Sequence, residues 1–243
     1  MYDLPSEDPE EPGLPDVRVS ASRDEFHDFQ PQLLRETCQP LHYSTDDLFI
    51  GTDLNLYYDS RHPLWHKRPD WFVVLGVPRS RRQEDLRWSY VVWDEGVAPF
   101  LVVELLSPGT EAEDLGQTLR DVNQPPTKWQ VYEHLLRIPY YVLFDRYDNQ
   151  LRAFQLVGTR YQEVPLAEPR FWFEELGLGL GVWHGRYQDT VGQWLRWYDD
   201  QGQWILTSAE RAEQERQRAE QEQQRAERLA ERLRSLGVDP DTV

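Results

Sequence analysis

The sequence predicts an α/β fold: a central mixed β-sheet flanked by helices, followed by one long C-terminal helix. Three observations lead there. Trp71-Phe-Val-Val-Leu75 and Phe100-Leu-Val-Val-Glu-Leu-Leu106 are short runs that are apolar on both faces, Glu104 excepted, as strands covered on both sides require. Between the second run and Tyr140–Phe144 lies a stretch with a helical start signal and near-helical apolar spacing. From Thr207 onward the chain is built mainly of Ala, Glu, Gln and Arg, with no Gly or Pro before Gly237.

Taken in order, Asp53–Tyr58 alternates and fits a strand, followed by Trp71–Leu75, Trp88–Trp93 and Phe100–Leu106. Thr127 is a candidate N-cap, and Trp129, Val131, Leu135 and Leu136 follow it before Pro139 stops the helix. Tyr140–Phe144 is a strand again. Leu151–Val157 and Tyr161–Val164, joined across Gly158-Thr-Arg160, read as a hairpin. Four regions follow: an acidic, proline-rich extension over 1–44 with one short helix near Gln32 to Glu36, the α/β domain over 45–206 with a β-rich C-terminal part, a charged helix over 207–236, and a tail over 237–243. Ala212, Ala219, Ala226 and Leu233 share a heptad position, but the second seam position is Glu215, Glu222, Leu229 and Leu236. That pattern suits a solvated single helix or a weak homodimeric coil.

Composition narrows the function classes. Net charge is -17, and residues 1–48 hold twelve acids against Arg18, Arg23 and Arg35. A strongly basic surface, the usual footprint of tight nonspecific nucleic-acid binding, is missing. No apolar run approaches the roughly 18 residues that span a bilayer, and the acidic start is the reverse of a signal peptide, so a cytoplasmic protein with no membrane contact is expected. Cys38 stands alone, which rules out an intrachain disulfide or a cysteine zinc site. Gly177-Leu-Gly-Leu-Gly181 is not followed by a helix pattern, so no dinucleotide loop and no organic cofactor are expected. His62 and His66, separated by Pro63, read as loop residues and not as a helical metal pair.

Candidate chemistry centres on three positions. Glu104 lies in a strand whose neighbours are all apolar; a buried carboxylate there must be paired, protonated or bound to a metal. Asp70 follows Pro69 at the mouth of a strand, where an Asp often only caps a turn. Lys128 is one of two lysines, with Lys67, in a chain that otherwise uses Arg, and it stands in the first turn of the helix against the macrodipole.

The order Pro69-Asp70, Glu104 followed by Leu105-Leu106-Ser107-Pro108, Asp114, Lys128 with Tyr132 four residues on, and Tyr140-Tyr-Val-Leu-Phe-Asp145 resembles the Uma-type family of restriction-endonuclease-like proteins, once a domain of unknown function, in the PD-(D/E)XK nuclease superfamily. The resemblance covers roughly Thr45 to Pro165 and implies a restriction-endonuclease-like core. It implies that Asp70, Glu104 and the backbone carbonyl of Leu105 hold Mg2+ or Mn2+, that Lys128 orients the attacking water or stabilises the phosphoryl oxygen, and that Ser107, Asp114 and Tyr132 support them. DNA is the implied partner and phosphodiester hydrolysis the implied reaction. The superfamily pattern places Lys two residues after the acid, where this chain has Leu106; the resemblance implies that Lys128 replaces it from the following helix. The rival reading is a weak or inactive nuclease-fold protein that serves as a binding module, supported by the missing basic surface and the displaced lysine.

Overall fold

The structure, a computed structural model, describes residues 25–106, 114–116 and 125–235; residues 1–24, 107–113, 117–124 and 236–243 lie outside the described residues. The chain forms two compact units with their boundary after Ile205.

The first unit is organised by a six-stranded mixed sheet. Its strands are β1 (Leu48–Thr52), β4 (Trp71–Leu75), β6 (Leu101–Leu105), β7 (Tyr140–Asp145), β8 (Gln150–Val157) and β9 (Arg160–Val164), side by side in that order. β6 is antiparallel to β4 and parallel to β7, and every one of its residues is buried. This central position, covered on both faces, accounts for a strand apolar throughout except at one residue. The parallel β6–β7 pair requires a crossover, and the crossover carries the helix that the sequence marks at Thr127. That helix is short: an α-turn (α3, Lys128–Gln130) with a Thr127/Gln130 capping box runs directly into a π-helical turn over Val131–Leu135, in which Leu136 N–H donates to the Val131 carbonyl.

Each face of the sheet is closed differently. Val102 and Leu106, with Tyr141 and Leu143, pack against Val131 and Tyr132 and against a small sheet of β2 (Leu56–Tyr57), β3 (His66–Lys67) and β5 (Tyr90–Val91). Leu101, Val103 and Leu105, with Trp71 and Phe144, pack against helix α1 (Glu25–Thr37) and a second three-stranded sheet of β10 (Arg170–Phe173), β11 (Leu178–Tyr187) and β12 (Thr190–Tyr198). The alternation of β6 therefore directs Glu104 towards the α3 face and its neighbours towards the α1 face.

Several expectations change in detail. The helix near Gln32 to Glu36 begins at Glu25 and runs through Pro31, because Phe26, Gln30, Leu33 and Leu34 share one face that is buried on the second sheet. Gln30 clasps Leu195 of β12 by two 2.8 Å bonds, Nε2 to the carbonyl and N–H to Oε1, and Trp197 Nε1 donates to the Leu34 carbonyl. Packing thus outweighs the helix-breaking tendency of an internal proline. Asp53–Tyr58 is extended only at Leu56–Tyr57, since Asp53 takes a left-handed φ of 49° and turns the chain. The strand expected at Trp88–Trp93 shrinks to Tyr90–Val91, followed by one helical turn (α2, Val92–Glu95) that ends at Gly96, φ 74°. Trp88 itself is 95% exposed. The Gly177–Gly181 segment leads into β11, where the Tyr198 ring lies against the backbone of Gly179 and leaves no room for a Cβ; these glycines serve close strand packing.

The second unit contains helix α4 (Ser208–Ser235), opened by a Thr207/Glu210 box: Thr207 N–H donates to Glu210 Oε2 at 2.8 Å and Glu210 N–H to Thr207 Oγ1 at 3.2 Å. None of its residues is buried, and Arg216 pairs with Glu213 and Glu220 along its surface. Among the described residues no helix is long and apolar enough to cross a membrane.

Cys38, just past α1, is 4% exposed, and burial pushes its thiol up to about 12 despite the nearby Arg35. A thiol this buried and this weakly acidic is expected to resist a water-soluble disulfide reagent in the native protein and to react on unfolding in denaturant. Fast labelling of the native state would show that the α1 end opens locally.

Candidate active site

Asp70 and Glu104 come together because β4 and β6 are antiparallel neighbours. The register sets Trp71 opposite Val103, so the residue before β4 meets the residue after Val103. The contact runs through the backbone: Asp70 N–H donates to Glu104 Oε2 at 3.3 Å, and Leu105 N–H donates to Asp70 Oδ2 at 2.7 Å. In an extended strand the N–H and C=O of one residue leave the same edge, so the Leu105 carbonyl also faces the Asp70 side.

Lys128 and Tyr132, four residues apart across the α-to-π junction, both reach Glu104. Lys128 Nζ lies 3.1 Å from Oε2 and Tyr132 Oη donates to Oε1 at 2.9 Å. Lys128 Nζ also lies 3.0 Å from Asp114 Oδ1, and Tyr141 Oη donates to the Asp114 carbonyl at 3.1 Å. The structure thus gathers Asp70, Glu104, Leu105, Asp114, Lys128 and Tyr132 at one end of the central strands; Ser107 lies outside the described residues.

The electrostatics of the group follow from burial. Glu104 is fully buried, and desolvation pushes its carboxyl up, to about 8; the Lys128 ammonium works against this, while the Asp70 and Asp114 carboxylates add to it. For Lys128, burial favours the neutral amine, but Glu104, Asp114 and Asp70 outweigh it and hold the ammonium well above its ordinary value. Tyr132 is held well above its ordinary value by burial and by Glu104, so it stays a hydrogen-bond donor at neutral pH. Within this cluster three carboxylates act on the Lys128 ammonium, an imbalance that favours additional positive charge.

The donor set agrees with a hard divalent cation. Asp70 and Glu104 supply carboxylates and Leu105 a carbonyl, the oxygen ligands that Mg2+ or Mn2+ takes together with water. Among the described residues no three His, Cys, Asp or Glu side chains converge as a metal cluster, so side chains alone do not complete a coordination sphere.

One residue at this end has no counterpart in the sequence reading. His27 of α1 approaches from the opposite face of the sheet, its Nε2 3.1 Å from the Leu105 carbonyl oxygen. Helical spacing of Phe26, Gln30, Leu33 and Leu34 puts His27 beside the buried stripe, but nothing in that spacing says which strand end α1 crosses. His62 and His66 take no part: His62 Nδ1 bonds Asp59 at 2.8 Å and its ring stacks on Trp65, while His66 lies in β3 with Nδ1 on the Leu64 carbonyl.

The molecule is a mixed α/β protein in which a six-stranded mixed sheet carries paired acids and a crossover lysine at one end of its central strands. The chain belongs to the Uma2 family, described as "Putative restriction endonuclease", whose family model matches residues 19–191. A crystal structure from Anabaena variabilis ATCC 29413, described as "a putative nuclease belonging to DUF820", is similar with a TM-score of 0.41 at 10% identity, over 61% of this chain and 75% of that chain. No curated protein matches the chain.

Proposed function

We propose that the protein is a Mg2+- or Mn2+-dependent endonuclease that hydrolyses DNA phosphodiester bonds. The observation that carries this reading is the fully buried Glu104, joined through backbone hydrogen bonds to Asp70 and Leu105 and held by Lys128 and Tyr132. A stabilising role alone would be better served by an apolar residue, because a buried ion pair seldom repays its desolvation.

In this reading Asp70, Glu104 and the Leu105 carbonyl hold the cation. Bound there, a divalent ion would supply Lewis-acid activation of the attacking water and would offset charge on the phosphoryl group. Tyr132 holds one oxygen of Glu104 in place, leaving the other turned towards Asp70 and Lys128. Lys128, compact and triply donating, keeps one proton on Glu104 and one on Asp114 and has a third to offer a phosphate oxygen or the attacking water. DNA is the substrate, and the heptad Ala212, Ala219, Ala226 and Leu233 supports a weak homodimer through α4.

Nicking of supercoiled plasmid is the direct test. Wild type is expected to nick with Mg2+ or Mn2+ and not with chelator, and Asp70→Asn is expected to lose about 100-fold or more in rate by withdrawing a metal-binding carboxylate. Wild type that cleaves neither plasmid nor single-stranded DNA with any divalent ion would overturn the reading in favour of a binding module. Equal rates in wild type and Asp70→Asn would point to another centre.

A further inference from the structure

We propose that the loop between β2 and β3, over 58–65, is a docking element for duplex DNA, with the Arg61 guanidinium holding a backbone phosphate to one side of the acidic centre. The inference rests on the reading of Asp70 and Glu104 as a DNA-cleaving centre, and names the surface that would hold the duplex beside it.

Charge supports it first. The chain carries 43 Asp and Glu against 26 Lys and Arg, yet residues 60–69, which lead directly into Asp70, hold Arg61, His62, His66, Lys67 and Arg68 and no acid. Arg61, His62, Leu64 and Arg68 are exposed, and Asp70 beside them is half-buried. An acidic chain that takes up a polyanion needs such a local reversal, because phosphate contacts supply much of the affinity and fix the register.

Placement supports it second. His66 pairs with Tyr57 where β3 runs antiparallel to β2, so the loop caps the end of β3 that is remote from Asp70. His66 is four residues from Asp70, at most about 14 Å along an extended chain. Both strands belong to the small sheet that covers the face towards which Glu104 points. A phosphate half a duplex turn from the scissile one, about 17 Å away, is thereby within reach of the loop. A second acid-free basic run, Arg79 to Arg82, follows the other end of β4, a strand length of about 16 Å from Asp70. There Arg81 is paired with Asp46, and Arg82 with Glu84 and Asp85.

Preorganisation supports it third. Asp59 accepts from Arg61 N–H at 3.0 Å, from Arg61 Nε at 3.2 Å and from His62 Nδ1 at 2.8 Å. The His62 ring lies flat on Trp65, centroids 3.9 Å apart and planes 9° apart, and Trp65 packs against the core of that face. His62 N–H on the Asp59 carbonyl and Trp65 N–H on the His62 carbonyl close the turns. Arg61 is thus fixed through Nε while 82% of its side chain is exposed, and among the described residues its two Nη groups bond nothing else. A guanidinium held by one edge with two donors to spare suits a phosphate.

The test is fluorescence anisotropy of the full-length protein with a labelled duplex about three helical turns long, in chelator and over a range of salt, beside plasmid nicking with Mn2+. Arg61→Gln is expected to weaken binding about three- to tenfold and to lower the salt slope by about 0.9, the value of one phosphate contact, and Arg61→Glu to weaken it more than about tenfold. In nicking, Arg61→Gln should raise KM and leave kcat unchanged, as loss of uniform binding does. Arg81→Gln, 77% exposed after the far end of β4, should bind as wild type does. Melting temperatures of all three should stay within about 2 °C of wild type, since both side chains lie in solvent. Unchanged binding in Arg61→Glu, or equal losses in Arg61→Gln and Arg81→Gln, would overturn the loop assignment whether or not wild type nicks. Binding that depends on Arg61 in a protein that nicks with no divalent ion would uphold the loop and overturn the cleavage reading.

Discussion

Glu104→Gln is expected to lower plasmid nicking by about 100- to 1,000-fold while leaving the protein as stable as wild type or more so. The two effects come from the same charge. Glu104 is fully buried, and desolvation, Asp70 and Asp114 all disfavour its ionised form, with Lys128 the opposing influence. Gln keeps the shape and retains an oxygen to accept from Tyr132 Oη, which lies 2.9 Å from Oε1; its amide nitrogen replaces Oε2 and gives up the bonds from Lys128 and Asp70 N–H, a loss that relief of the buried charge has to offset. It removes one of the three carboxylates that act on Lys128, and the remaining pair, Lys128 with Asp114 at 3.0 Å, is intact. The folded state therefore sheds repulsion and desolvation cost, and the cation loses a ligand. Thermal melting beside initial nicking rates reads both. A fall of more than about 5 °C in melting temperature, about 1 to 2 kcal/mol for a chain of this size, would show that the ionised carboxylate is a net stabiliser, contrary to this account.

Lys128→Met should do the reverse to stability. It leaves Glu104 and Asp114 buried without the ammonium that lies 3.1 Å from one and 3.0 Å from the other. Removing one partner of a buried ion pair typically costs about 3 to 5 kcal/mol; because 20% of the Lys128 side-chain surface is exposed and water can enter, roughly 2 to 4 kcal/mol is expected. Nicking should fall as well, by about 100-fold or more, with the loss of a donor to the phosphoryl oxygen. The decisive measurement is the double variant. If the cost is the stranded Glu104 charge, then Glu104→Gln in the Lys128→Met background recovers about half or more of the lost stability, giving a coupling energy well above the ~0.5 kcal/mol scatter of independent sites. Additive effects in denaturant titration would mean that Lys128 stabilises through its aliphatic stem and not through its charge.

Opposite signs at two touching residues are characteristic of a site arranged for chemistry. Glu104 inside an apolar strand and a lysine in the first turn of a helix are each unfavourable by local rules. Local conflicts of this kind gather where function overrides stability.

How much of this was legible beforehand follows from the range of each interaction. The central strands could be read because a strand covered on both faces must be apolar on both faces, and β4, β6 and β7 are. Thr127 announces the crossover helix as its N-cap, and the structure adds Gln130 as the other half of a capping box. The hairpin of β8 and β9 is marked by the turn at Gly158, φ 63°. Trp88 misled because an aromatic run looks alike whether it packs or projects; Tyr90 took the buried place beside β2, and Trp88 is left outside.

The sequence by itself determined the central strands, the β8–β9 hairpin, the crossover and C-terminal helices, the family, and the demand that a carboxylate at position 104 find a partner, since these depend on neighbours along the chain or on the letters of a motif. Only the tertiary structure decided who answers that demand. The β4–β6 register brings Asp70 to it, and the crossover between parallel strands returns Lys128 and Tyr132 to the face on which Glu104 points. The reason is physical: periodicity tells which side of an element is buried, but which element covers it depends on long-range packing that local spacing does not encode.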